Sequence, residues 1–176
     1  MLEEKEYKNK EFESQIFKKI DFGNISFNHS IFIDCIFDQC DLSNVEMQET
    51  RLQGVVFKDC KILGVNFAEC NRFFIDMSFD QCIISLSIFS GLNMKGTSFL
   101  DCHVFDCDFA GTDLTRAVFD YSDVKGSSFH KTNLSFTSFK GATNYAIDVN
   151  QVKLKKTIFS YPEAVALLDI FDIEIK

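Results

Sequence analysis

The 176-residue chain holds no apolar run near the roughly 18 residues that crossing a bilayer requires, which excludes a membrane span by helix. Its opening, Met1-Leu2-Glu3-Glu4-Lys5-Glu6, lacks the apolar stretch of a secretion signal, so a cytoplasmic location is expected. Positive charge is also short: 18 Lys and Arg stand against 26 Asp and Glu, a net charge of −8. Nucleic acid and anionic membrane would repel such a body, whereas a basic protein surface would attract it. Proline occurs once and histidine three times, with no nucleophile and base spaced for catalysis, so neither an enzyme nor a cofactor is expected. Seven cysteines form an odd set in a chain without a secretion signal, which argues for reduced thiols.

What the chain does have is a period of five. From Phe12 to Phe139 every fifth residue is Phe, Leu, Ile, Val or Met, with one slip of two residues between Phe67 and Phe74. Five fits neither a helix of period 3.6 nor a flat strand of period 2. With the large apolar residue labelled i, position i−2 is small or slim (Ser30, Cys35, Val45, Thr50, Cys60, Thr112, Ala117), while i−1, i+1 and i+2 are mostly polar. All seven cysteines fall at i−2, as packing rather than chemistry would demand. One large and one small inward residue in each five imply a short straight stretch and a turn, with the polar residues supplying the turn.

Four such stretches make a coil of about twenty residues, and each side of the coil is then coherent in composition. One side carries Phe12, Phe32, Leu52, Phe74, Met94, Leu114 and Leu134, and the next Phe17, Phe37, Phe57, Phe79, Phe99, Phe119, Phe139 and Phe159. The third is Phe22, Leu42, Ile62, Ile84, Val104 and Val124, and the fourth Phe27, Met47, Phe67, Phe89, Phe109 and Phe129. The small-residue rule breaks at Arg72 and Met77, where a bulge or short loop is expected.

Runs such as Ala110-Gly111-Thr112-Asp113-Leu114 and Cys107-Asp108-Phe109 resemble the motif of the pentapeptide-repeat proteins. The resemblance implies an all-β solenoid, a right-handed quadrilateral β-helix, over residues 12–141. It leaves residues 1–11 as a polar N-terminal segment and 142–176 as an irregular last coil with a short C-terminal helix and strand cap. The helix is expected from Ser160, with Pro162 in its first turn, through about Leu168, and the strand from the alternation of Phe171, Ile173 and Ile175. This ending is similar to that of the Qnr-type quinolone-resistance branch. It implies a homodimer through Tyr161, Pro162, Val165, Leu167, Leu168, Phe171, Ile173 and Ile175.

Two surfaces are candidates for partner binding. Asp38, Asp59, Asp80, Asp101 and Asp120 occupy turn positions on the all-Phe side of five consecutive coils, and so form a file along the rod. Asp is also simply a good turn residue. Leu63, Ile83, Leu86, Ile88 and Phe105 project outward near one corner, and Ile31, Ile33, Ile36, Phe73 and Ile75 gather elsewhere. The acidic rod and the Qnr-like ending together imply a DNA mimic that occupies the DNA-binding saddle of DNA gyrase or topoisomerase IV and modulates it or protects it from quinolones. The alternative is a rigid interaction scaffold for another cytoplasmic protein. No metal site is expected, because a straight column of parallel cysteines cannot converge tetrahedrally.

Overall fold

A computed structural model of the chain describes residues 7–171, 173 and 174. Two- and three-residue strands, such as Ile16–Lys18 and Ile36–Asp38, lie parallel to their counterparts one coil away. The registers Phe17↔Phe37, Phe37↔Phe57, Phe57↔Phe79 and Phe79↔Phe99 carry the all-Phe side up the rod. Every strand pair among the described residues is parallel, and the chain is a parallel β-solenoid of about 7 turns.

The interior follows from the two inward residues of each five. Phe rings stack along the all-Phe side at centroid separations between 4.7 and 5.3 Å, from Phe17 to Phe159. They meet the neighbouring Phe column edge to face, as Phe99 meets Phe89 at 5.8 Å and Phe109 at 5.6 Å. Each buried ring contributes about 2 kcal/mol through its area, and each good ring pair about 1 kcal/mol more. The small residue at i−2 does more than leave room. The hydroxyls of Thr112, Ser122 and Thr132 donate to the carbonyls of Phe89, Phe99 and Phe109 one coil away, at 2.8, 2.7 and 2.8 Å. The thiols of Cys60 and Cys82 donate likewise to Phe37 and Phe57, at 3.2 and 3.3 Å. Cys, Ser and Thr thus share the position because each is small and each carries a donor.

At i+2 the backbone turns the corner with positive φ, as at Asp59 (50°), Leu86 (52°) and Tyr121 (61°). On the upper coils the i+3 N–H closes the turn onto the carbonyl of i, Thr112 to Phe109 and Ser122 to Phe119, both at 3.1 Å, which is the type II arrangement. Aspartates at i−1 brace many corners; Asp108, for example, accepts from the Ala110 N–H at 2.9 Å.

The slip resolves into a bulge, and here the structure departs from the sequence count. Leu52 pairs with Ile75 rather than with Phe74, and the ladder shifts before Val55 meets Met77. Phe74 therefore turns outward beneath the Arg51 guanidinium, 4.8 Å from its ring centre, and Phe73 beside it is 91% exposed. Met77, at a position that is mostly small, is buried; its long flexible side chain suits an irregular gap.

Tyrosines close both ends of the shaft. Tyr7 lies within 5.1 to 6.4 Å of Phe12, Phe17, Phe22 and Phe27. At the other end Asn144 holds the repeat position, and Tyr145 and Ile147 fill the interior instead, Tyr145 resting 5.7 and 5.3 Å from Phe139 and Phe159. The Tyr145 hydroxyl is buried without a hydrogen-bond partner among the described residues, and burial, with the nearby Glu163 carboxylate, raises it above the ordinary tyrosine range. Beyond Phe159 a 3-10 helix runs Glu163–Phe171. It passes the expected end at Leu168 because Glu163-Ala-Val-Ala-Leu-Leu-Asp-Ile-Phe171 contains no Gly or Pro to stop it. Phe171 accordingly ends the helix instead of opening a strand, and Ile173 and Glu174 are not in a strand. Ile175 lies outside the described residues.

Candidate protein-binding surfaces

The five aspartates of the all-Phe side occupy two adjacent columns at one corner. Asp38, Asp80 and Asp120 stand directly after the Phe, and Asp59 and Asp101 one residue further, at φ 50° and 51°. The first column also holds lysines: Lys18 is in register with Asp38, and Asp38 with Lys58, which in turn faces Asp80. Lys18 donates to Asp38 at 2.5 Å, and this hydrogen bond holds the ammonium above its ordinary range. Asp120 accepts from the Ser138 hydroxyl and, at 3.2 Å, from the Lys140 N–H, while Gln81 reaches Asp101 at 3.4 Å. Lys58, beside Asp59, and Lys140, one coil past Asp120, bound the part of the file that lysine does not interrupt, which is Asp80, Asp101 and Asp120. Exposed Leu100 enters the same column between Asp80 and Asp120. Counting the sequence in coils of twenty would have shown both the lysines and Leu100.

Elsewhere on the rod two carboxylates are paired with lysine. Lys61 reaches Asp41 at 2.8 Å and Lys95 reaches Asp113 at 3.4 Å. Burial works to raise the Asp41 carboxyl, but hydrogen bonds from Lys61 and Ser43 overcome it and hold the group below its ordinary range.

Of the C-terminal residues, Leu167 is half-buried against the core and Val165 is also half-buried. Pro162, Leu168, Phe171 and Ile173 are exposed, and Tyr161 is 86% exposed. Ile170 adds a further exposed aliphatic side chain to the same helix, one the sequence pattern did not single out. The seven cysteines are buried free thiols. No group of three His, Cys, Asp or Glu among the described residues could hold a metal ion, and no helix among them is long and apolar enough to cross a membrane.

A four-sided parallel solenoid with stacked Phe inside and turns at every fifth residue defines a narrow class of protein. The family model for the pentapeptide repeat region matches residues 10–72, and that for pentapeptide repeats, in 8 copies, matches residues 107–143. Together they take in more than half of the chain, which belongs to the pentapeptide-repeat proteins. A search of curated proteins found no match. Two trypsin-treated variants of QnrB1, a plasmid-mediated fluoroquinolone resistance protein, are similar in structure. The first is 18% identical with a TM-score of 0.54, over 97% of this chain and 92% of that one. The second is 17% identical with a TM-score of 0.52, over 97% and 93%. At this identity the likeness is one of fold.

Proposed function

We propose that the protein is a rigid, non-catalytic cytoplasmic binding rod whose acidic middle docks on a basic protein surface, with the DNA-binding saddle of a type II topoisomerase such as DNA gyrase as the target. The observation that carries this reading is the stretch Asp59, Asp80, Asp101 and Asp120, set along one corner at the spacing of the coils. The fold shared with a fluoroquinolone resistance protein supports the choice of target. Charge density limits it. Seven coil spacings of ~4.8 Å make a rod of about 34 Å, over which duplex DNA carries roughly 20 charges. The chain's −8 is under half of that, so the acidic stretch has to act by position.

In a gyrase supercoiling and quinolone-cleavage assay, a stoichiometric excess of the protein is expected to reduce one or both activities. The variant Asp59→Lys/Asp101→Lys is expected to lose most of that effect with an unchanged circular dichroism spectrum, since Lys19 and Lys131 already occupy equivalent corners. Unaltered supercoiling and unaltered drug-induced cleavage would reject the topoisomerase target. The second reading, a scaffold for a different protein, is favoured by exposed apolar residues on the sheet face of the adjoining side of the rod.

Two copies are proposed to join through the exposed apolar residues of the C-terminal helix and its flanks. Sedimentation of the intact chain is expected to give a dimer, and that of a truncation ending at Phe159 a monomer. A monomeric intact chain would exclude the joint.

A further inference from the structure

The strands Lys61–Leu63, Ile83–Ser85 and His103–Phe105 form a three-stranded parallel sheet on the third side of the rod. On its outer face Leu63, Ile83 and Phe105 alternate with Lys61, Ser85 and His103, and Leu86 extends the apolar part to the corner. Ile83 is 50% exposed and Leu86 61%.

Nothing in the fold requires these residues. The column of Ile83 holds Asp21, Asp41, Lys61, His103 and Asp123 in the other coils, and the column of Leu86 holds Asn24, Asn44, Gly64, Asp106 and Gly126. The column of Ile88, just past the corner, holds Ser26, Glu46, Asn66, Asp108 and Ser128. Three columns that are otherwise polar turn aliphatic together in one coil. Leu86 moreover adopts φ 52°, a conformation that Asn or Gly takes at lower cost.

The surroundings decide the partner. Asp108 is the ladder neighbour of Ile88, Asp123 that of His103, and Asp106 stands one coil beyond Leu86. With Asp101 they set four carboxylates around the face. Against these stand Lys125 and Lys61, and the latter is held by Asp41. A second copy of an acidic chain or an anionic membrane would be repelled, whereas a cationic partner would be drawn in. Three coils at ~4.8 Å span about 10 Å, the diameter of a helix with its side chains.

We infer that this face docks a basic amphipathic helix of another protein, aliphatic side chains against Leu63, Ile83, Leu86 and Phe105, and Lys or Arg toward the aspartates. The inference rests on the scaffold reading and is independent of the topoisomerase target, so the two fail separately.

The test is fluorescence anisotropy with two labelled synthetic helices of equal length, one of Leu and Lys and one of Leu and Glu. The full chain is expected to bind the Lys helix at least tenfold more tightly than the Glu helix. Ile83→Ser/Leu86→Asn is expected to weaken that binding at least tenfold. Asp106→Asn/Asp108→Asn/Asp123→Asn, which keeps the side-chain acceptors used by Ala110 and Lys125, is expected to weaken it and flatten its salt dependence. Equal binding of the two helices, or binding that neither variant changes, would overturn the inference. So would sedimentation showing a dimer that Ile83→Ser/Leu86→Asn dissociates, because the occupant would then be a second copy.

Discussion

Replacing Phe99 by Ala is expected to destabilise the protein by about 4 kcal/mol, the range seen when a fully buried ring is deleted from a packed core. The ring is wholly buried. It stacks 4.8 Å from Phe79 and 4.7 Å from Phe119, and meets Phe89 and Phe109 edge to face. Backbone ladders hold the coils above and below, Phe99 N–H to Val118 carbonyl at 2.7 Å among them, so the shaft cannot collapse around the void.

The effect also depends on place along the rod. In a solenoid each coil touches only its neighbours, and stability is a chain of nearest-neighbour interfaces. A defect in the middle weakens two interfaces and uncouples the halves, whereas Phe17 stacks on one coil only and is already slightly exposed. Phe17→Ala is therefore expected to cost less than half as much. In urea unfolding followed by circular dichroism, Phe99→Ala should lower both the midpoint and the apparent m-value, because the two halves no longer unfold together. Equal midpoints for the two variants would contradict the one-dimensional picture.

The interior was legible in the sequence because a strict period leaves no freedom of register: once Phe17, Phe37 and Phe57 are seen to recur, a one-residue error would expose every ring. The slip was legible as an event but not as a geometry. Phe73 and Phe74 are chemically alike, and only the pairing of Leu52 with Ile75 shows that Phe74 faces Arg51. The failing period at Asn144 signalled the end of the rod, yet not that Tyr145 would turn in to close it. Of the acidic file, the aspartates and their side were readable. That Lys18 would close on Asp38 depended on seeing a coil neighbour twenty residues away as a contact partner. The cysteines were assigned to packing, which their burial matches, but their donor role depends on backbone carbonyls that no side-chain pattern displays.

Those thiols carry the second large expectation, a steep loss of stability in alkali. Burial, aided by the nearby carboxylates of Glu69 and Glu49, pushes Cys70 up to about 12. Burial likewise pushes Cys107 up to about 12, against an ordinary value of 9.0. Cys40 is raised as well, first by its hydrogen bond with the Cys60 thiol and then by burial. An unfolded thiol gives up its proton near pH 9, while the folded one keeps it to about 12, so across that window the folded state binds more protons. Stability is then whole below pH 9 and falls as the pH rises toward 12, by about 1.4 kcal/mol per pH unit for each such thiol. Cys70 and Cys107 alone would remove about 3 kcal/mol per unit, enough to unfold a domain of ordinary stability before pH 12. The variant Cys70→Ala/Cys107→Ser removes both protons from the balance. Its new hydroxyl at 107 can donate to the Ile84 carbonyl as Ser127 does to Val104. Monitored by circular dichroism from pH 7 to 12, the variant is expected to unfold about one pH unit higher than the natural chain. Coincident alkaline midpoints would show that lysine and tyrosine titration, common to both proteins, accounts for the loss instead.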